Sequence, residues 1–186
     1  YRSGFPAWFN PAGTSSGLVI DTVRFTGGSS SGLVIGDIDQ QGLSAVRLVS
    51  NVKIIDSSFD NNNGNGLWLA AVNGFEITRT KFLNNGPGDD KDGLHVGASI
   101  NGLVQDSEAA NNGEDGFDTS RNGGNDICQG NSYNITYLRN VAHDHPNAGF
   151  SMNNCAWNLV YRNNYAYGSG TPFNQYYCAH NVKIQG

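Results

Sequence analysis

The chain is poor in charge and in the residues that build helices. Only 15% of its 186 residues are charged, methionine occurs once and proline five times. With 38% hydrophobic residues, that composition excludes a charge-rich disordered chain. No stretch approaches the ~18 consecutive apolar residues of a membrane-spanning helix, so no membrane partner is expected. Eleven Lys and Arg stand against sixteen Asp and Glu, a net charge of −5. There is no basic run to neutralise phosphates, which argues against a nucleic-acid partner. Tyr1–Pro6 lack the apolar segment of a signal peptide, which leaves room for the mature part of a secreted, extracellular protein. Both ends are abrupt, and Asn181-Val182-Lys183-Ile184 reads as a strand cut off by the terminus, so a fragment or incomplete chain is expected.

What is abundant is asparagine and glycine, 25 of each, together about 27% of the chain. Both are poor in helix interiors and good in turns, so a helical bundle is excluded. Their placement is periodic. A β-type run such as Asn51–Phe59 recurs as Gly74–Phe82, Asn101–Ala109, Tyr133–Val141 and Trp157–Tyr165. The end residues Phe59, Phe82, Ala109, Val141 and Tyr165 are 23, 27, 32 and 24 apart. Each run leads through a polar turn, carrying Asn61-Asn62, Asn84-Asn85 or Asn111-Asn112, into a second apolar run opened by Gly66, Gly93, Gly116 or Gly149. One such coil cannot bury its own apolar face; stacked coils can, and stacking aligns identical residues into ladders. The pattern predicts an all-β fold, a right-handed parallel β-helix of coils of roughly 23 residues with asparagine ladders. It forms a single domain, with irregular first coils over 1–42 and regular coils over 43–186. A monomer is expected.

Carboxylates concentrate in two turns, Asp89-Asp90-Lys91-Asp92-Gly93 and Glu114-Asp115-Gly116-Phe117-Asp118. Gly93 and Gly116 share a coil position, so these turns stack about 4.8 Å apart. Acids that close repel unless a cation sits among them, and short oxygen-rich turns suit calcium. A solvated acidic edge is the alternative. The strand after each turn places Trp68, His95, Asp118 and Ser151 in one column, read as an exposed, substrate-binding groove. Trp157 and Tyr165, at coil spacing, read as stacked core.

The stretch Asn112-Gly113-Glu114-Asp115-Gly116-Phe117-Asp118, followed a coil later by Asn147-Ala148-Gly149-Phe150, resembles the pectate lyases of polysaccharide lyase family nine. The likeness spans about 50–170 of the sequence. It implies a secreted, calcium-dependent β-helix enzyme that cleaves an acidic polysaccharide by β-elimination. It implies Glu114, Asp115 and Asp118 as calcium ligands, with Asp90 as the fourth and Asp89 or Asp92 nearby. The family's catalytic lysine is replaced by Ser151, so another base is required. Arg121, His145 and Lys91 are the candidates, with His143 beside them. The phrases Asn140–His143 and Asn164–Gly168 also resemble the repeats of alginate C5-epimerases, although Asp144-His145-Pro146 departs from their Asp-Pro-His order. Lyase is the leading expectation. Epimerase, a glycoside hydrolase using Asp115 with Asp118, and a non-catalytic binding or adhesin segment are the alternatives.

Of three cysteines, Cys155 and Cys178 lie 23 residues apart, each three before an asparagine of the repeat. Neighbouring rungs fall within the Cα separation a disulfide tolerates, so a Cys155–Cys178 bridge is expected, with Cys128 outside that register.

Overall fold

The structure, a computed structural model, describes residues 7–39, 45–87, 91–120, 132–176 and 178–186. They contain twenty-one strands and no helix. Strands of one coil go to three different sheets. Leu67–Ala70 joins the first, Val72–Thr78 the second and Lys81–Leu83 the third. Every pairing is parallel and joins one coil to the next, as in a right-handed parallel β-helix. Successive coils differ in length: from Leu67 the first-sheet register runs to Leu94, Phe117 and Phe150. Extra residues enter as loops between sheets, which leaves strand register intact.

The core is built from inward columns. Leu33, Leu67, Leu94, Phe117, Phe150 and Phe173 stack in the first sheet. Ile54, Ile77, Val104, Tyr137 and Tyr161 stack in the second, and Phe25, Phe59, Phe82, Ala109, Ala142 and Ala166 in the third. Where the third column shrinks from phenylalanine to alanine, the others grow to Phe117, Phe150, Tyr137 and Tyr161, keeping the interior filled. Phe117 and Phe150 stack 5.1 Å apart, and Tyr137 and Tyr161 stack 4.8 Å apart.

Among the described residues, ten of the twenty non-glycine residues with positive φ are asparagine, so the asparagine excess serves the bends between sheets as well as the ladders. The glycines that open each first-sheet strand serve space instead. A Cβ at Gly66, Gly93 or Gly116 would meet Nδ2 of Asn85 or Asn112, or Nε2 of His145, at 2.6–2.8 Å.

Three expectations change. The register pairs Ala109 with Ala142, and Ala142 with Ala166, so Val141 and Tyr165 fall one residue off the core column. A one-residue slip reverses the face of a strand, and Tyr165 is 63% exposed while Ala142 is fully buried. Trp157 is only half-buried, lying against Tyr133 at 4.6 Å; Tyr161 is the aromatic that enters the core. Cys155 and Cys178 do occupy equivalent positions, two residues before the paired Trp157 and His180, yet their sulfurs are not joined. Side chains on in-register parallel rungs point the same way, so their Cβ atoms stay about 4.8 Å apart, beyond the ~3.5–4.5 Å of a disulfide. Cys128 lies outside the described residues.

Candidate active site

Two ladders run through the turns between the third and first sheets. In the first, Asn62 Nδ2 donates to Asn85 Oδ1 and Asn85 Nδ2 to Asn112 Oδ1, both at 2.9 Å. Each of these amides also donates to a third-sheet carbonyl: Asn62 to Phe25, Asn85 to Phe59 and Asn112 to Phe82. His145 occupies the next rung. Its Nδ1 accepts the Asn112 N–H and its Nε2 donates to the Ala109 carbonyl, both at 3.2 Å. The imidazole thereby replaces an asparagine amide, one nitrogen accepting and the other donating. Burial lowers its pKa to about 4, so it is neutral.

The second ladder starts three residues further on. Asn65 Oδ1 accepts the Asp92 N–H at 2.7 Å, Asp92 Oδ1 the Asp115 N–H at 3.2 Å, and Asp115 Oδ1 the Ala148 N–H at 2.7 Å. Buried carboxylates here stand where an amide would serve the backbone equally well. Their second oxygens are the ones left for chemistry.

Those oxygens meet the column that follows. Trp68, His95, Asp118 and Ser151 are aligned rung to rung on the first sheet. His95 Nδ1 lies 2.9 Å from Asp92 Oδ2 and 3.1 Å from Asp118 Oδ2, and its Nε2 is 3.4 Å from Ser120 Oγ. The Trp68 ring meets the imidazole edge-on at 5.2 Å. Asn153 Nδ2 bridges Asp118 Oδ1 at 3.0 Å and Ser151 Oγ at 2.9 Å, while its own Oδ1, out of contact with solvent, has no partner among the described residues.

Burial works against a charge on His95, but hydrogen bonds to Asp118 and Asp92 outweigh it and hold the pKa up to about 10. His95 is therefore an imidazolium at neutral pH. Burial raises the Asp92 carboxyl against the pull of His95. Burial, with Asp118 and Asp92 close by, raises Asp115 to about 8. Asp92, His95 and Asp118 also offer three metal-ligating atoms within 4.8 Å of one another.

A model of the right-handed β-helix region matches residues 12–186. The chain belongs to the right-handed β-helix family. Three crystal structures of the periplasmic alginate epimerase AlgG, one of the parent protein and two of mutant forms, are similar to it with TM-scores of 0.65–0.66 and 17% identity. The match covers 96–98% of this chain and 42–43% of those chains, so this chain spans less than half their length. At that identity the likeness is one of fold. A search of curated protein sequences finds no match.

In this β-helix the residues singled out from sequence are partly gathered and partly dispersed. The column Trp68–His95–Asp118–Ser151 is there, but it is not an open groove: Asp118 and Ser151 are buried, while Trp68 and His95 remain partly exposed. His145, taken as a candidate base, belongs to the asparagine ladder, with both ring nitrogens committed to backbone groups. Lys91 precedes Asp92 and lays its stem over Gly86. Among the expected calcium ligands, Asp115 has given one oxygen to Ala148, and Asp118 gives its oxygens to Asn153 and His95. Glu114 is half-buried, its backbone tied to Lys91 and Asn147. Asp89, Asp90 and Arg121 lie outside the described residues.

Sequence reasoning missed Asn153 and Ser120, and gave Asp92 only a neighbouring role. A signal for Asp92 existed. Asn65, Asp92 and Asp115 each stand two residues before an inward apolar residue, the same repeat logic that marks the Asn62 ladder.

Proposed function

We propose that the chain is an exported enzyme acting on a uronate-containing polysaccharide, pectate-like or alginate-like, with Asp92, His95 and Asp118 at its centre. The observation that carries this reading is one imidazole pinned through Nδ1 by two buried carboxylates, on a column shared with a partly exposed Trp68. That pinning fixes the ring and leaves Nε2, held among the described residues only by a long 3.4 Å contact to Ser120 Oγ, as the nitrogen that a sugar could reach. Trp68, partly exposed, offers an apolar face to a pyranose ring. The AlgG likeness is compatible with a polysaccharide substrate.

Elimination and C5 epimerisation begin alike. A base takes the C5 proton, and its electron pair passes toward the uronate carboxylate. In elimination that pair forms the C4–C5 double bond as the C4–O bond breaks, and the departing oxygen takes a proton. In epimerisation C5 regains a proton on its other face. His95 suits the cationic and proton-donating duties: neutralising the uronate carboxylate, or protonating the leaving oxygen. Arg121 and Lys91 remain the proposed bases. Calcium, on the acids named from the sequence, is proposed as the added cation that would let an acidic chain accept an anionic polymer.

Purified protein incubated in D2O with polygalacturonate, and separately with polymannuronate, tests the reading. Ultraviolet absorbance of a new double bond marks elimination. Deuterium at C5 with inverted configuration and no chain cleavage marks epimerisation. Loss of either signal on adding a chelator, with recovery on calcium, supports the metal. No turnover of any uronate polymer, or full turnover after His95→Asn, would overturn the proposal.

A further inference from the structure

A second surface, away from the His95 column, has unspent recognition capacity. A cavity of about 540 Å3 lies along the third sheet and the bend before it, lined by Arg79, Lys81, Glu108, Arg139, His143 and Tyr167 among others. Its rim is a column of alternating charge. Arg79 grips Asp56, and Arg139 grips Asp106, each through Nε and Nη2 at 2.7 Å. Among the described residues both forks leave Nη1 uncommitted. Glu108 is the reverse case: Lys81 takes one oxygen at 3.1 Å and His143 the other at 3.3 Å. Lys81 thus keeps further donors while Glu108 has already committed both oxygens. The donors left over in the cavity are N–H groups of Arg79, Lys81 and Arg139, cations each already paired with one carboxylate, so an incoming carboxylate would be held by hydrogen bonds rather than by an excess of positive charge. At one end Tyr167 lies flat against His143, ring centres 4.7 Å apart, and is 43% exposed; Tyr165 beside it is 63% exposed.

Donor-rich walls ending in an exposed aromatic platform fit a carboxylated sugar, whose carboxylate takes the donors and whose ring face takes the tyrosine. The spacing agrees. Arg79 and Arg139 stand two rungs apart, about 9.6 Å along the stack, comparable with one disaccharide of an extended 1,4-linked chain, so carboxylates of alternate sugars would reach the two guanidiniums.

We propose that this cavity is a second, non-catalytic binding site for a stretch of acidic polysaccharide, held by Arg79, Lys81 and Arg139 against Tyr167. It would keep the polymer on the protein while another segment occupies the His95 column. The inference does not depend on turnover at His95, because binding is read directly.

The probe is a tetramer of 1,4-linked galacturonate, with a neutral glucose tetramer as control, titrated into the His95→Asn protein and followed by NMR. Shifts at Lys81, His143 and Tyr167 are expected with the uronate and absent with the neutral sugar. Arg79→Gln with Arg139→Gln should weaken that binding about tenfold or more, since two charge-assisted hydrogen-bonding groups are removed. The partners left behind, Asp56 and Asp106, are partly exposed, so the fold should survive. Tyr167→Ala, a surface change, gives an independent variant with the same expected direction. Turnover of a short substrate by these variants in an otherwise unaltered chain should match the parent. Unmoved resonances at the cavity, equal binding of the neutral tetramer, or parent-like affinity in both variants would each overturn the proposal without touching the His95 reading.

Discussion

The two ladders of the same turn put one residue type to opposite uses. His145 ends the amide ladder as a neutral ring, its pKa lowered to about 4 by burial, with both nitrogens hydrogen-bonded to the backbone. His95, beside the second ladder, is held cationic to about 10 because Asp118 and Asp92 share its Nδ1. Both rings lie largely within the stack, His95 a little more open than His145, so burial alone does not set the charge. What decides it is whether the hydrogen-bond partners are neutral carbonyls and amides or carboxylates. An amide ladder can be extended with any side chain that accepts on one side and donates on the other. A carboxylate ladder stores repulsion that a cation or an added proton relieves.

The sharpest way to break the comparison is at His95. Removing the cation with His95→Asn should leave a folded chain and lower turnover of a uronate polymer by about a thousandfold, within the range of lost acid–base catalysis. His145→Asn should leave turnover within a few-fold of the parent, because asparagine restores the ladder's own chemistry. Steady-state rates for the two variants, with circular dichroism for fold, check the pair.

Next in size is the amide ladder itself. Asn85 accepts from the Asn62 backbone and side chain and donates to Asn112 and Phe59, fully inside the stack. Asn85→Ala would strand those groups and should cost about 3–5 kcal/mol, read as a lowered midpoint in urea. The exposed ladder through Asn101, Asn134 and Asn158 should cost far less to interrupt, because water replaces the lost partner.

Acid should discriminate between the ladders too. The folded pKa of His145, about 4, lies below its ordinary 6.5. As pH falls the unfolded chain takes up that proton first, so the contribution is intact above 6.5 and drains between 6.5 and 4, by up to about 3 kcal/mol. His145→Asn should flatten that part of the stability profile.

Asp115 carries the opposite sign. Its folded pKa of about 8 lies above the ordinary 3.8, so its contribution is complete below 3.8 and drains as pH rises through 8. Asp115→Asn keeps an acceptor for the Ala148 N–H and removes the buried charge. It should stabilise the chain at pH 8, with no gain at pH 3.5, as thermal melts at the two pH values would show. A chain that keeps an aspartate where asparagine is more stable is using the carboxylate for something other than folding.

The architecture was legible because a coil-length repeat of alternating residues, punctuated by paired asparagines, admits few other folds. The Asn61-Asn62 and Asn84-Asn85 pairs even divide their labour as their neighbours imply, one bending the chain at positive φ and the next bridging rungs. Register was legible wherever a large apolar residue marked the core, as at Phe59 and Phe82. It failed where Ala142 and Ala166 took that place beside the more apolar-looking Val141 and Tyr165. The column of Trp68, His95, Asp118 and Ser151 followed from the spacing of the glycines that open each strand.

The sequence by itself determined that this chain coils and, wherever a large apolar residue or an opening glycine marks the register, which residues share a column, because those follow from periodicity. Only the tertiary structure decided what the columns do. It turned His145 inward to extend an amide ladder, left Tyr165 on the surface, and swung Asp92 and Asp118 onto one nitrogen of His95. The physical reason is that a ladder position fixes where a side chain starts, while its charge and accessibility depend on atoms from neighbouring rungs and adjoining turns. Those neighbours lie 23 to 36 residues away along the chain and only one rung away in space.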